Sequence, residues 1–220
     1  VFQRSAHYTV PAHNAPLAPE AQAEVKAHYG EMRQRARSLP SGVMFPLNDV
    51  NAVETSAEDR QREYEDRWRT GGVGFLGAFK DLMFDADANE TAASFVREKV
   101  RQTVRDPETA ELLMPAGVIG CRRLCVDTGF HATFNRDTVE LVNVRETPIE
   151  RLCADGVVVG GETYALDAIV FATGFDAMTG ALLKIDIRGK DGRALRDKWA
   201  EGPRAYLGLT MAGFPNLFTI

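Results

Sequence analysis

The chain has 220 residues, 45% hydrophobic and 26% charged, a balance that excludes disordered, collagen-like and disulfide-scaffold classes. Its 26 Lys and Arg stand against 31 Asp and Glu for a net charge of -5, so no chain-wide positive field exists to recruit nucleic acid or an anionic membrane. No run of about 18 apolar residues and no signal-peptide pattern occurs, which predicts a cytoplasmic protein with no membrane or nucleic-acid partner. Cys121, Cys125 and Cys153 are odd in number and spaced for neither a disulfide framework nor a common zinc pattern, so three reduced thiols and no metal are expected. The sequence begins at Val1 without Met and stops inside the apolar run NLFTI, which reads as a piece of a longer protein.

Residues 1–10 are rich in β-formers (Val1, Phe2, Tyr8, Thr9, Val10) and read as a strand that Pro11, Pro16 and Pro19 end. From Leu17 to Leu39 apolar residues recur at helical intervals until Pro40-Ser41-Gly42, predicting one long amphipathic helix. Ser56-x-x-Asp59 resembles a capping box and opens a charged helix over 56–69 that Gly71-Gly72 ends. A further helix is predicted to start at Asp87-x-x-Glu90 with Phe95, Val96, Val100 and Val104 on one stripe, and Asp106-Pro107 caps a short one. After Gly117 the texture changes. VELVNV (139–144), IERLCA (149–154), GVVVGG (156–161), TYAL (163–166) and AIVFATG (168–174) are short β-rich runs separated by turn signals, predicting a meander that ends in one buried strand. A strand, a hundred helical residues and then strands imply a helical block inserted into an α/β unit.

Gly72-Val73-Gly74-Phe75-Leu76-Gly77 matches the GxGxxG dinucleotide fingerprint, yet a polar helix precedes it where the fingerprint requires a strand, so it reads as a loop. Arg4 and Ser5 close the first strand, where an arginine can fork onto the extra phosphate of NADP and a hydroxyl can donate beside it; the competing reading is a solvated loop charge. Arg122-Arg123 in GCRRLCVDTGF calls for anionic partners, either a ligand or acids such as Asp127 or Asp137. In FATGFD (171–176), Thr173-Gly174 would let a ligand approach the carboxyl end of an apolar strand. His28 and His131 read as packing or surface residues, and no Ser-His-Asp, Cys-His or metal constellation is present at recognisable spacing.

VFQRSAHYTVPAHNAPL, GCRRLCVDTGFHATFNRDTVELV and, above all, the run IVFATGFDAMTGALLKIDIRGKDGRALRDKWAEGPRAYLGLTMAGFPNLF resemble the middle of flavin-dependent (class I) Baeyer–Villiger monooxygenases of the phenylacetone, steroid and cyclohexanone monooxygenase group. The resemblance implies an α/β protein with two dinucleotide-binding (Rossmann-like) domains, each only partly present, and a helical insertion. Residues 1–11 and 118–172 would be part of an NADP-binding domain, 12–117 the insertion, and 173–220 part of an FAD-binding domain. It implies FAD and NADP as cofactors, and a ketone with O2 as substrates giving an ester or lactone. Arg4, Ser5 and Arg122 would bind the 2′-phosphate of NADP, Arg122 standing where the family usually has lysine. Arg123 falls on the family's catalytic arginine beside the flavin ring, and Thr173 and Gly174 would border a cofactor. Both cofactor fingerprints and the family's FxGxxxHxxxW signature are missing from these residues, so the chain alone is expected to be inactive. Two other readings stay open: a related flavin monooxygenase oxidising nitrogen or sulfur, and a non-catalytic interaction domain in which the helical block is a binding surface and Arg122-Arg123 an ion pair.

Overall fold

The computed structural model describes residues 1–39, 42–174, 176 and 178–219. Helices and short strands are mixed, and the chain divides into two compact units, Val1–Leu166 and Asp167–Ile220.

In the first unit, β1 (Phe2–Gln3) and β2 (Thr9–Pro11) are two short strands where one longer strand is predicted. The chain bends between them to bury Tyr8. The long helix predicted from Leu17 is two helices, α1 (Pro19–Ala27) and α2 (Tyr29–Arg37), broken at His28. Neither buries a residue, so the apolar stripe of Leu17, Val25 and Tyr29 stays exposed, and helix propensity alone does not carry the chain through His-Tyr-Gly. The Pro40-Ser41 stop signal lies outside the described residues, as does Phe175 of FATGFD.

Two capping signals act as predicted. Ser56 accepts from Asp59 N at the start of α3 (Ala57–Thr70), and Asp106 accepts from Thr109 N at the start of α5 (Pro107–Leu113). In α4 (Ala86–Thr103) the cap is Asp85, which accepts from Ala88 N at 2.8 Å, rather than the predicted Asp87; Asp87 sits inside the first turn, where the helix dipole favours its charge. The predicted stripe of Phe95, Val96, Val100 and Val104 is buried. Between α3 and α4 runs a single-turn 3-10 segment, Val73–Gly77, which occupies the GxGxxG match. Phe75 inside that match is fully buried and stacks on Tyr64 and Phe95 at 5.6 and 5.9 Å between ring centroids.

The glycines beside it serve packing. Gly71 has φ +75, and a Cβ there would lie 2.4 Å from the Pro11 carbonyl oxygen, the same oxygen that accepts from Gly72 N at 2.8 Å. The double glycine thus lets α3 end directly against β2.

The chain then returns through β3 (Cys125–Asp127) and the single-turn helix α6 (Phe130–Thr133) to β4 (Val142–Asn143). β3 pairs in parallel with β2, Thr9 opposite Cys125, and β4 pairs in parallel with β1, Gln3 opposite Asn143. Of the strand predicted over 139–144 only two residues pair, because Val139 and Leu141 pack instead on the cluster of Val100, Val104, Leu113 and Phe134. An antiparallel meander follows: β5 (Ile149–Cys153), the fully buried β6 (Gly156–Val159) and β7 (Glu162–Ala165). The Gly160-Gly161 turn joining β6 to β7 has φ +59 and +79, the paired left-handed conformation of a type I′ hairpin turn.

The second unit is centred on Leu195, Trp199, Met211 and Phe214, with short helices α7 (Gly180–Leu183) and α8 (Leu195–Lys198) and the predicted turn at Lys190–Gly192. The buried strand predicted at 168–174 is not formed. Val170 is 89% exposed and Phe171 65%, because a continuous apolar run becomes a strand only between neighbours that cover both faces, and no strand lies beside it among the described residues.

Candidate functional site

β1 and β4 are adjacent and parallel, so the residues leaving their carboxyl ends emerge side by side: Arg4-Ser5 after β1, and Val144-Arg145 after β4. These ends open on a cleft of about 720 Å³, whose other wall is the segment 114–122 leaving α5. Arg4, Ser5, Arg122 and Arg145 all line it. Their side chains have no carboxylate within 4.0 Å among the described residues, so the guanidinium groups are available to an anion. Glu111 and Glu146 line the same cleft, leaving one net positive charge there on a chain whose overall charge is -5. The carboxyl ends of parallel strands are where open α/β sheets take their ligands.

Buried hydrogen bonds hold the far wall, and the sequence gives little sign of them. Asn89 on α4 is 5% exposed, donates to the Leu82 and Ile119 carbonyls at 2.8 and 2.9 Å, and accepts from Ile119 N at 3.0 Å. Ile119 is thereby fixed three residues before Arg122. Gly120 has φ +88, and a Cβ there would lie 2.8 Å from the Met83 sulfur, so only glycine turns the chain at this point. The Tyr8 hydroxyl donates to the Gly117 carbonyl at 2.7 Å and accepts from Arg97 at 2.9 Å; burial pushes its pKa up, with the Arg97 charge opposing. Arg97 is paired in turn with Glu90. Asn89 and Tyr8 are positioning residues that sequence reasoning missed, because nothing local marks a helix Asn or a Tyr just before a strand as reaching a loop thirty or a hundred residues away.

Arg123 behaves differently from its neighbour. It is exposed, does not line the cleft, and its carbonyl faces His7 Nε2 at 2.9 Å. The ion pairs considered for Arg122 and Arg123 are not formed: Asp127 accepts from the Thr9 hydroxyl at 2.7 Å and from Phe130 N at 2.9 Å instead. Thr173 and Gly174, in the second unit, are exposed and lie outside any helix or strand rather than at a strand end. Gly174 has φ +80 with open space on the side a Cβ would occupy, which leaves room for a close approach.

Two features outside the cleft bear on the other expectations. The described residues hold no group of three or more His, Cys, Asp or Glu able to bind a metal, and no helix of the described residues is long and apolar enough to cross a membrane. His131, expected to pack, has a side chain 11% exposed and 3.9 Å from Asp127. Burial lowers its pKa, the nearby carboxylate only partly opposing. The unfolded chain therefore binds a proton that the native state resists, and stability should fall as pH drops below about 6.5, levelling once the native imidazole also protonates. We expect His131→Gln to flatten the Tm-against-pH curve between about pH 7 and 5; an unchanged slope would remove His131 as its source.

Likeness of sequence and structure makes the chain a homologue of α/β flavoprotein monooxygenases. Within that class, its homologues over the whole chain include Baeyer–Villiger monooxygenases. It is 40% identical over 226 residues to cyclohexanone 1,2-monooxygenase of Acinetobacter sp., covering all of this chain and 41% of that protein. It is 38% identical over 223 residues to a phenazine N-monooxygenase of Lysobacter antibioticus, with the same coverage. Among solved structures, oxidised steroid monooxygenase bound to NADP matches 99% of this chain and 42% of its own, at TM-score 0.88 and 50% identity. OTEMO in complex with FAD and NADP matches with TM-score 0.94 and 38% identity, over 100% of this chain and 41% of its own. The chain thus spans about two fifths of the length of the relatives it matches. No protein-family model matches it.

Proposed function

We propose that the protein carrying this chain is an FAD- and NADPH-dependent Baeyer–Villiger monooxygenase, and that the cleft between the ends of β1 and β4 takes the 2′-phosphate end of NADP. The observation that carries this reading is the meeting of Arg4, Ser5 and Arg122, far apart in sequence, on one concave surface, with neither arginine held by a carboxylate among the described residues. The cleft is large enough for a nucleotide and its cations match a phosphate, so the residues present fit NADP. On this reading, residues 1–11 and 118–172 are part of an NADP-binding domain, 12–117 the helical insertion, and 173–220 part of an FAD-binding domain.

NADPH supplies the hydride and FAD the means of activating O2 when both are bound. Of the two oxygen atoms, one enters the ester or lactone and the other leaves as water as NADPH becomes NADP+. Arg4 and Arg122 hold the phosphate by charge, and Ser5 adds a hydroxyl donor. Arg123, one residue beyond Arg122 and outside the cleft lining, presents a permanent cation to a different side and steadies negative charge on the reacting oxygens. Thr173 and Gly174 give a cofactor room against the backbone.

The test is product analysis with the complete protein, NADPH, FAD and a panel of cyclic and open-chain ketones beside tertiary amines and sulfides. Esters or lactones from ketones are expected. A second reading, oxidation at nitrogen, is favoured by the likeness to a phenazine N-monooxygenase; N-oxides with no ester would decide for it. No NADPH consumption with any of these substrates would leave the interaction-domain reading.

A further inference from the structure

The cleft contains a cation that neither the strand-end arginine nor the arginine pair accounts for. Arg145 follows β4 as Arg4 follows β1, and the register Gln3 opposite Asn143 brings the two strand ends level. Val144 N donates to the Gln3 carbonyl at 3.0 Å, so pairing continues to the residue just before Arg145. There the chain turns: Asn143 Oδ1 accepts from Arg145 N at 3.1 Å, and the Asn143 carbonyl accepts from Thr147 N at 3.2 Å. This turn fixes the backbone from which Arg145 lines the cleft. Arg145 is exposed and has no carboxylate within 4.0 Å among the described residues, so nothing in the fold uses its charge. Neighbouring strands lie about 4.8 Å apart, and guanidinium groups from two such ends can both reach one phosphate-sized anion.

We propose that Arg145 is a specificity-determining residue that selects for the 2′-phosphate from the β4 side, opposite Arg4. The proposal rests on the reading of this cleft as the NADP site. The charges of the cleft support it: Arg145 adds a third cation to Arg4 and Arg122, against two lining carboxylates of which Glu111 is already paired with Arg101 at 3.8 Å. Arg145 thus adds positive charge that favours a phosphorylated ribose over a plain one. Being exposed and unpaired, it can be replaced without removing a structural contact.

The experiment is calorimetric titration of the complete protein with two fragments of the cofactor, 2′,5′-ADP and 5′-AMP, which share the purine and differ in the 2′-phosphate. Arg145→Met should weaken 2′,5′-ADP by about tenfold and leave 5′-AMP within about twofold, the loss of one charge-assisted contact. Arg145→Lys should recover most of the affinity, because it keeps the charge. Equal weakening of both fragments would make Arg145 a purine or structural contact and overturn the proposal, as would no change in either. Arg4→Ala separates the two levels of inference. If it costs 2′,5′-ADP selectively while Arg145→Met does nothing, only the role of Arg145 fails; if it too leaves 2′,5′-ADP binding unchanged, the cleft is not the NADP site and both readings fall.

Discussion

Replacing Arg123 by alanine in the complete protein is expected to lower ester formation by about two to three orders of magnitude or more while leaving NADPH affinity within about threefold. Loss of one preorganised charge at a developing oxyanion typically has an effect of that size. The separation from cofactor binding follows from position: Arg122 lines the cleft and Arg123 does not, and neither is committed to an ion pair. Arg122→Ala should therefore do the reverse, weakening NADPH with a smaller effect on the chemical step at saturation. Arg123→Lys should stay severely impaired, since a compact hydrated ammonium does not reproduce the planar fork of guanidinium. Stopped-flow reduction beside product analysis reads both steps; ester formation by Arg123→Ala near the wild-type rate would return the arginine to an ordinary surface charge.

The second large effect concerns the GxGxxG match. Phe75→Ala should destabilise the protein by about 3–5 kcal/mol, the usual range for a buried aromatic truncated to alanine. Phe75 is completely buried among Tyr64, Trp68 and Phe95, and the cavity left there is bounded by α3 and α4, which cannot easily close on it. Phe84→Ala, at a residue 90% exposed, should change stability by less than about 0.5 kcal/mol. Gly74→Ala should leave NADPH binding unchanged, since a Cβ there meets only Phe45 at an ordinary 3.5 Å. A large rise in the NADPH dissociation constant for Gly74→Ala without loss of stability would make the match a true phosphate loop.

What could be read from the residues was what local chemistry encodes. Ser56 and Asp106 cap their helices because a short polar side chain meets free backbone amides wherever it occurs, and Gly160-Gly161 turns a hairpin because both positions need positive φ. The GxGxxG match could be set aside for a similar reason, its preceding segment being patterned as a polar helix. Features that depend on partners were misread. The run 168–174 is apolar enough for a buried strand but has no neighbouring strand among the described residues, and the stripe from Leu17 to Leu39, broken at His28, fully buries no residue in either of its two helices. At the candidate site, residue type pointed to Arg4, Ser5 and Arg122, while Arg145 and Asn89 went unseen. Arg145 gains meaning only from the parallel register of β1 and β4, and Asn89 only from a hydrogen bond across thirty residues.

Hydrogen–deuterium exchange of the complete protein with and without NADP+ tests most directly whether this cleft holds the cofactor, because a ligand that covers and orders backbone slows the exchange of its amides. Protection is expected together in 3–8, 114–122 and 143–146, the three stretches that form the cleft, with none confined to 72–77. Protection centred on 72–77 while those three stretches exchange as in the free protein would contradict it and place the phosphates on the glycine-rich turn instead.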